Sequence, residues 1–138
     1  ERAARGTQGL LFPWGNEWNR EDESRGNYVY DEFAPLLKEV GSFPNGVSPD
    51  GIHDMLGNVS EWVFDWYEEK YYKDPESLHN PEGPEASLLG IRVRRGGNRT
   101  TRGGYLHTAW RSTDTPDEEL PQPETTQDTV GFRCAEDL

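Results

Sequence analysis

The residues best suited to chemistry in this sequence are two carboxylates, Asp54 and Glu61, which flank a glycine-containing segment. A hard cation such as calcium prefers several oxygen ligands, drawn from carboxylates and backbone carbonyls. Gly57, between the two acids, permits a tight turn that can aim carbonyl oxygens inward. The pattern therefore indicates a structural cation site, although a loop closed by hydrogen bonds alone would use the same residues.

A second group of candidate residues follows the Gly96-Gly97 pair, in a segment rich in the residue types that are enriched at binding hot spots. The candidates for partner binding are Arg99, Arg102, Tyr105, His107 and Trp110. Gly103-Gly104 gives this segment conformational freedom to adapt to a partner. The better candidates for direct contact are Arg99, Arg102 and Tyr105. The alternative is that Tyr105 and Trp110 fill a groove and support the core.

No set of side chains forms a catalytic pattern, and we assign no catalytic residue. The three histidines, His53, His79 and His107, are scattered, and no Ser/His/Asp order or glycine-rich phosphate loop is present. Cys134 is the single cysteine, which excludes an intrachain disulfide and a cysteine-rich zinc site. We interpret it as a small packing residue.

Arginines and tryptophans are expected to have structural roles. Because Arg forms bidentate pairs with carboxylates, internal ion pairing is the expectation in so acidic a chain. The arginines concerned are Arg94, Arg95, Arg111 and Arg133. A few large aromatic side chains can form the core of a small domain, and the tryptophans expected in this core are Trp14, Trp62 and Trp66.

Composition limits the possible partners and the kind of core. The formal net charge of the 138 residues is -12, so nucleic acid and anionic membrane surfaces are unfavourable partners. Only 32% of residues are hydrophobic, but five Trp, six Tyr and five Phe are enough to build a core, which argues against a disordered chain. No apolar run reaches membrane-spanning length.

Short elements separated by loops must position the candidate residues, because 15 glycines and 10 prolines interrupt the chain. The helical spacing of apolar residues predicts a helix over 31–40, with an extended segment from Leu37 to Phe43 as the alternative. Alternation predicts strands at 62–66 and 91–94, and a last short strand at 130–135. The segments 68–90 and 113–129 are expected to be exposed loops.

Four blocks in this order closely resemble the formylglycine-generating enzyme, or sulfatase-modifying factor, domain family. They are Phe12-Pro13-Trp14-Gly15-Asn16-Glu17, the run from Gly51 to Trp62, Arg92-Val93-Arg94-Arg95-Gly96-Gly97, and Val130-Gly131-Phe132-Arg133-Cys134-Ala135. The resemblance implies an α+β, C-type-lectin-like fold that is rich in loops, with short antiparallel strands and few helices. It covers residues 1–138 as the C-terminal part of one such domain, with the N-terminal part of the domain outside this chain.

The resemblance also bears on ligands and catalysis. By position, it places calcium on the side chains of Asp54 and Glu61 and on the carbonyls of Gly57 and Val59. The family's enzymes use two cysteines in the stretch that corresponds to 98–112, and this stretch contains no cysteine. The later position falls on Thr108, and the earlier one falls near Gly103 or Gly104. No copper is expected, since a hydroxyl cannot replace a thiolate pair as a ligand for a soft metal.

The function that the resemblance implies is a non-catalytic binding or assembly module, acting as a subunit or accessory part of a larger protein or complex. We expect a protein partner, no nucleic acid, no direct membrane insertion, and an extracytoplasmic location in the periplasm or at the cell surface. The alternative function is a domain of an iron-dependent sulfoxide synthase or other oxidoreductase whose metal ligands lie outside this chain.

Overall fold

Little of the chain forms regular secondary structure. The computed structural model describes residues 1–19, 24–29, 36–78, 81, 83–88, 90–114 and 129–135. In these ranges there is one helix, α1 (Arg2–Arg5), and four strands: β1 (Ser60–Trp66), β2 (Arg92–Arg95), β3 (Arg111–Asp114) and β4 (Val130–Gly131). Short 3-10 turns lie at Pro44–Gly46, Tyr71–Lys73, Pro75–Leu78 and Gly103–Tyr105. Few helices and a small sheet are consistent with the predicted loop-rich α+β class.

The strands form one mixed sheet in the order β3-β2-β1-β4. β2 runs antiparallel to both β1 and β3, whereas β4 runs parallel to β1. The predicted strands at 62–66 and 91–94 are confirmed as β1 and most of β2. The last strand is shorter than predicted, and the strand β3 begins before and extends into the segment expected to be a loop. The parallel pair of β1 and β4 lies beside the antiparallel strands that the resemblance implies.

One face of the sheet is built from stacked cations and rings rather than from a buried apolar layer. The Arg92 guanidinium lies 3.8 Å from the centre of the Trp66 ring, and that of Arg94 lies 5.4 Å from the centre of the Trp62 ring. Such cation–π contacts stabilise partly exposed aromatic side chains. The prediction that Trp62 and Trp66 belong to the core is wrong, since both are half-buried on this face and neither packs against the buried cluster described next.

The core lies beside the sheet and is made by loop residues. Phe12, Tyr28, Leu56 and Leu106 form the buried cluster, and Trp14 and Trp18 pack against it. The Phe12 and Trp14 rings stack with centroids 5.4 Å apart, which confirms the core role predicted for Trp14. Residues distant in sequence thus meet at aromatic contacts, as expected for a chain with few aliphatic side chains.

The helix predicted over 31–40 is wrong where it can be assessed. Residues 36–40 are not helical, and Leu36 and Val40 are 80% and 83% exposed; residues 31–35 lie outside the described ranges. Two asparagine side chains take the backbone groups that a helix would use. Asn27 Nδ2 donates to the Leu36 carbonyl at 2.9 Å, and Asn58 bonds both the N–H and the carbonyl of Lys38 at 3.1 Å. Such contacts compete with helical hydrogen bonds.

Across the described ranges, no helix combines the length and apolar character that crossing a membrane requires.

Candidate functional site

The segment Asp54–Glu61, here called the cation loop, ends on the first two residues of β1 and is strongly bent before them. Asp54, Gly57 and Asn58 all adopt left-handed backbone conformations, with φ values of 56°, 86° and 60°. At Gly57 a side chain is also excluded by space, because a Cβ would lie 2.5 Å from the Asn27 carbonyl oxygen. Left-handed positions are costly for other residue types, so the surrounding contacts must impose this path.

Asn58 supplies many of these contacts from a buried position. Its side-chain oxygen accepts a 2.9 Å hydrogen bond from Asn27 Nδ2, and its backbone N–H donates to the Asn27 carbonyl at 2.7 Å. Its two further bonds to Lys38, described above, join the neighbouring segment to the loop. A left-handed asparagine whose amide is fully engaged holds the turn in one conformation.

Both carboxylates of the loop are engaged with groups of the protein. Asp54 Oδ2 accepts a 2.7 Å hydrogen bond from the Gly41 N–H. The two oxygens of Glu61 accept from Arg133 Nε at 2.6 Å and from Arg133 Nη2 at 2.5 Å. Arg133 also donates to the carbonyls of His53 and Asp54, at 3.1 and 3.3 Å. The hydrogen bond to Glu61 raises the pKa of Arg133, outweighing the opposing effect of burial.

These contacts decide how the predicted calcium ligands fit a metal. Asp54, Gly57, Val59 and Glu61 do lie in one loop, but the Glu61 carboxylate is already paired with a cationic side chain. In the part of the chain that the structure describes, no three or more His, Cys, Asp or Glu side chains are grouped to hold a metal. With Arg133 in place, the donor set does not fit calcium, and the calcium site stays a prediction that requires Arg133 to move.

The segment Asn98–Trp110, here called the aromatic loop, is anchored to the core at several points. Leu106 is 1% exposed, and a Cβ at Gly103 would come within 2.1 Å of the Trp18 ring. Buried Thr108 donates its hydroxyl to the Leu10 carbonyl at 2.7 Å and its N–H to the Leu11 carbonyl at 2.9 Å. The residue that the resemblance sets at the later cysteine position is therefore a structural hydrogen-bond donor.

The same loop turns several large side chains outward. Tyr105 is 60% exposed, and its ring centre lies 6.2 Å from that of half-buried Trp110. The His107 ring meets Trp110 edge-on at 6.1 Å, and Arg102 is exposed on the same segment. The structure thus brings Tyr105, His107 and Trp110 together. Arg99 does not join them as a contact residue, because it is only 8% exposed, which corrects the expectation that its side chain is available to a partner.

An ion cluster that the sequence did not indicate supports the end of the aromatic loop. Arg95 donates to the carbonyls of Thr108, Ala109 and Trp110 at 2.7 to 3.0 Å, with Nη1 serving the last two. The Glu1 carboxylate bridges Arg95 at 3.1 Å and Arg111 at 3.2 Å. Glu1 has this role because the fold places it beside the arginines of β2 and β3, which are distant from it in sequence.

The electrostatics of this cluster favour an ionised Glu1. Burial acts to raise the pKa of the Glu1 carboxyl, but the hydrogen bond from Arg5 and the charges of Arg95 and Arg111 outweigh it and hold that pKa below its usual range. Glu1, Arg95 and Arg111 border a cavity of about 240 Å³ that Val63, Tyr72 and Val93 also line. The predicted internal ion pairing is confirmed for Arg95, Arg111 and Arg133.

The remaining residues singled out from the sequence are Cys134 and the three histidines. Cys134 is exposed, so its interpretation as a packing residue is wrong; the chain has left β4 by this position and no longer alternates toward the sheet. His53 contacts Arg133 through its carbonyl, and His107 Nδ1 is buried with no hydrogen-bond partner among the described residues. His79 lies outside the described ranges.

Comparison with known proteins gives a match over the whole chain. Residues 1–138 match the family model described as "sulfatase-modifying factor enzyme 1-like domain". Similar proteins include the serine/threonine-protein kinase Pkn1 of Chlamydia trachomatis, which is 33% identical over 99% of this chain and 19% of the kinase. The formylglycine-generating enzyme of Mus musculus is 30% identical over 96% of this chain and 35% of that enzyme.

A third relative has a name that specifies loss of activity. It is the inactive C-alpha-formylglycine-generating enzyme 2 of Mus musculus, 31% identical over 98% of this chain and 40% of its own length. The chain thus spans between about a fifth and two fifths of the length of these curated relatives.

Proposed function

The chain belongs to the sulfatase-modifying factor enzyme 1-like domain family, and from this premise we propose that it works as a non-catalytic binding or assembly module. The names of two relatives support the proposal. One is an inactive formylglycine-generating enzyme. The other is a kinase of which this chain matches about a fifth, so a domain of this family occurs as one part of a longer protein.

The observation that carries the proposal is the construction of the aromatic loop. The stretch from Asn98 to Ser112 contains no cysteine, and its hydroxyl at Thr108 is buried in a hydrogen bond to the Leu10 carbonyl. No thiolate is therefore present in this stretch to bind copper or to act as a nucleophile. A segment that is fixed to the core on one side and presents aromatic rings on the other is suited to recognition.

The binding surface that we propose consists of Arg102, Tyr105, His107 and Trp110. Tyr and Trp bring large contact areas, and each needs few side-chain torsions to be fixed. Arg102 offers a planar set of donors to a carboxylate. Arg99, which is buried, contributes by holding the loop: its backbone N–H donates to the Asn58 carbonyl at 2.9 Å. The partner is a protein surface that contributes an apolar patch for the rings and a carboxylate for Arg102.

The finer fold assignment belongs to the same proposal. Family membership, the small mixed sheet and the predominance of loops support a C-type-lectin-like formylglycine-generating-enzyme fold, of which this chain is the C-terminal part. The extracytoplasmic location stays a prediction, and so does the alternative of a sulfoxide synthase domain with iron ligands outside this chain.

Site-specific photo-crosslinking tests the proposed surface in the full protein. A photo-reactive phenylalanine analogue replaces Tyr105 in one variant and Tyr67, an exposed residue just after β1, in a matched control. We expect a discrete crosslinked protein from position 105 that is absent from position 67. Arg102→Ala should then weaken the affinity for that protein about tenfold or more, as for a hot spot worth ~1.4 kcal/mol.

The unfolding midpoint of Arg102→Ala should stay within the range of surface substitutions, a change of about 0.5 kcal/mol or less in the free energy of unfolding. Equal crosslinking at positions 105 and 67 would contradict the proposed surface. Formation of formylglycine from a cysteine-containing sulfatase peptide would contradict the non-catalytic assignment, whatever the crosslinking shows.

A further inference from the structure

We propose that the guanidinium of Arg133 serves as the resident cation of the cation loop, in the place where a calcium ion would otherwise neutralise it. The loop of this protein is then stable without metal. The inference rests on the geometry of Arg133 and does not depend on the proposed function.

The contacts of Arg133 have the character of a coordination set. A single guanidinium donates hydrogen bonds to both oxygens of Glu61 and to the carbonyl oxygens of His53 and Asp54. One carboxylate and two backbone carbonyls are the ligand types that a hard cation selects. The Glu61 contact is bidentate, the arrangement in which Arg binds a carboxylate most strongly.

A calcium ion on Glu61 would have to share its carboxylate with this side chain. Calcium takes 6–8 oxygens at about 2.3–2.6 Å, whereas both Glu61 oxygens already lie 2.5 and 2.6 Å from nitrogens of Arg133. Two cationic groups within a few ångströms of one carboxylate repel each other, and the partly buried pair is only weakly screened. The charge of Arg133 therefore opposes the binding of calcium at Glu61.

The guanidinium also has a structural consequence that a free ion would lack. Arg133 follows β4, and β4 pairs in parallel with the first residues of β1, where Glu61 aligns with Gly131. The contact to Glu61 therefore ties the segment 129–135 to the cation loop. An ion would neutralise Glu61 without being joined covalently to this segment.

Thermal unfolding of the full protein, in chelator and in excess calcium chloride, tests the proposal. We expect the wild-type Tm to be the same in both buffers. Arg133→Gln removes the resident charge and should have a lower Tm in chelator, which calcium raises by roughly 5 °C or more. Adding Glu61→Gln to this variant should abolish the calcium response. Arg2→Gln removes one positive charge at an exposed position of α1 and should show no response.

Three results would overturn the proposal. The first is a wild-type Tm that falls in chelator, combined with an Asp54→Ala variant whose Tm does not. Calcium would then bind beside Arg133. A second is a folded Arg133→Gln that does not respond to calcium. If Arg133→Gln does not fold in chelator, refolding it in calcium decides the matter: recovery supports the proposal, and failure to recover overturns it.

Discussion

The cation loop and the aromatic loop adjoin each other but are held in opposite ways. The Arg99 N–H of the aromatic loop donates to the Asn58 carbonyl of the cation loop at 2.9 Å, and the Gly57 N–H donates at the same distance to the Gly96 carbonyl, just before the aromatic loop. The cation loop directs its polar groups inward, onto Asn27 and Arg133. The aromatic loop instead buries an aliphatic side chain, Leu106, and leaves aromatic rings at the surface.

This difference separates the structural region from the region that is available for recognition. A left-handed loop whose amide and carboxylate groups are already bonded gains little by binding something else, because new bonds would replace existing ones. Exposed rings such as Tyr105 have no such prior engagement, so covering them releases water from apolar surface. We therefore expect substitutions in the cation loop to change stability, and outward substitutions in the aromatic loop to change binding.

The largest expected effect is that of Gly57→Ala. The new Cβ would lie 2.5 Å from the Asn27 carbonyl oxygen at a φ of 86°, so strain and overlap add. We expect a loss of about 3 kcal/mol or more in the free energy of unfolding, measured by chemical denaturation. Gly51→Ala is the matched control, because Gly51 has a φ of 78° but nothing within 4 Å of a Cβ, and it should cost only ~1 kcal/mol. Equal losses in the two variants would mean that backbone strain alone, without overlap with Asn27, accounts for the cost of the substitution.

A second comparison concerns the two sides of the aromatic loop. Leu106→Ala removes a fully buried side chain and should cost about 2–4 kcal/mol, whereas Tyr105→Ala should change stability by ~0.5 kcal/mol or less. Denaturant midpoints of the two variants check this contrast. A large loss for Tyr105→Ala would assign its ring to the core and remove it from the proposed binding surface.

The smallest expected effect is a pH dependence that reaches the aromatic loop through Glu1. The Glu1 pKa is lowered in the fold. The stability that its ionised carboxylate contributes is therefore present above the ordinary pKa of 4.5 and is lost as the pH falls through the folded value. Glu1→Gln should remove less than about 1 kcal/mol near neutral pH, since the ion pairs are partly exposed. The difference in the free energy of unfolding between Glu1→Gln and wild type should disappear in acid.

Amide hydrogen exchange at Thr108, Ala109 and Trp110 provides the local readout for this prediction, because Arg95 bonds their carbonyls. Glu68→Gln, at an exposed position, removes the same charge and serves as the control. Identical acid profiles for the two variants would show that Glu1 does not support the loop.

The sequence predicted the strands that show a local periodic pattern, and it missed the features that depend on contacts between distant residues. Alternation was enough for β1 and most of β2, and the spacing of Asp54 and Glu61 correctly suggested one loop. The periodicity of residues 36–40 was misleading, because Asn27 and Asn58 bind that backbone. Burial of Arg99 could not be inferred, since local sequence gives no sign of how the loop folds back onto Asn58.

The hydrogen bonds of the cation loop also set an order of assembly on the ribosome. The groups that bond the side chains of Asp54 and Asn58, on Gly41 and Asn27, lie 13 and 31 positions earlier in the chain, whereas Arg133 lies 72 positions after Glu61. At synthesis rates of about 5–20 residues per second, Glu61 waits roughly 4–14 s for its arginine. The backbone of the loop is free to form during that interval, and the carboxylate is neutralised only when β4 arrives. Pairing of β4 with β1 is thus a late step in the folding of the nascent chain.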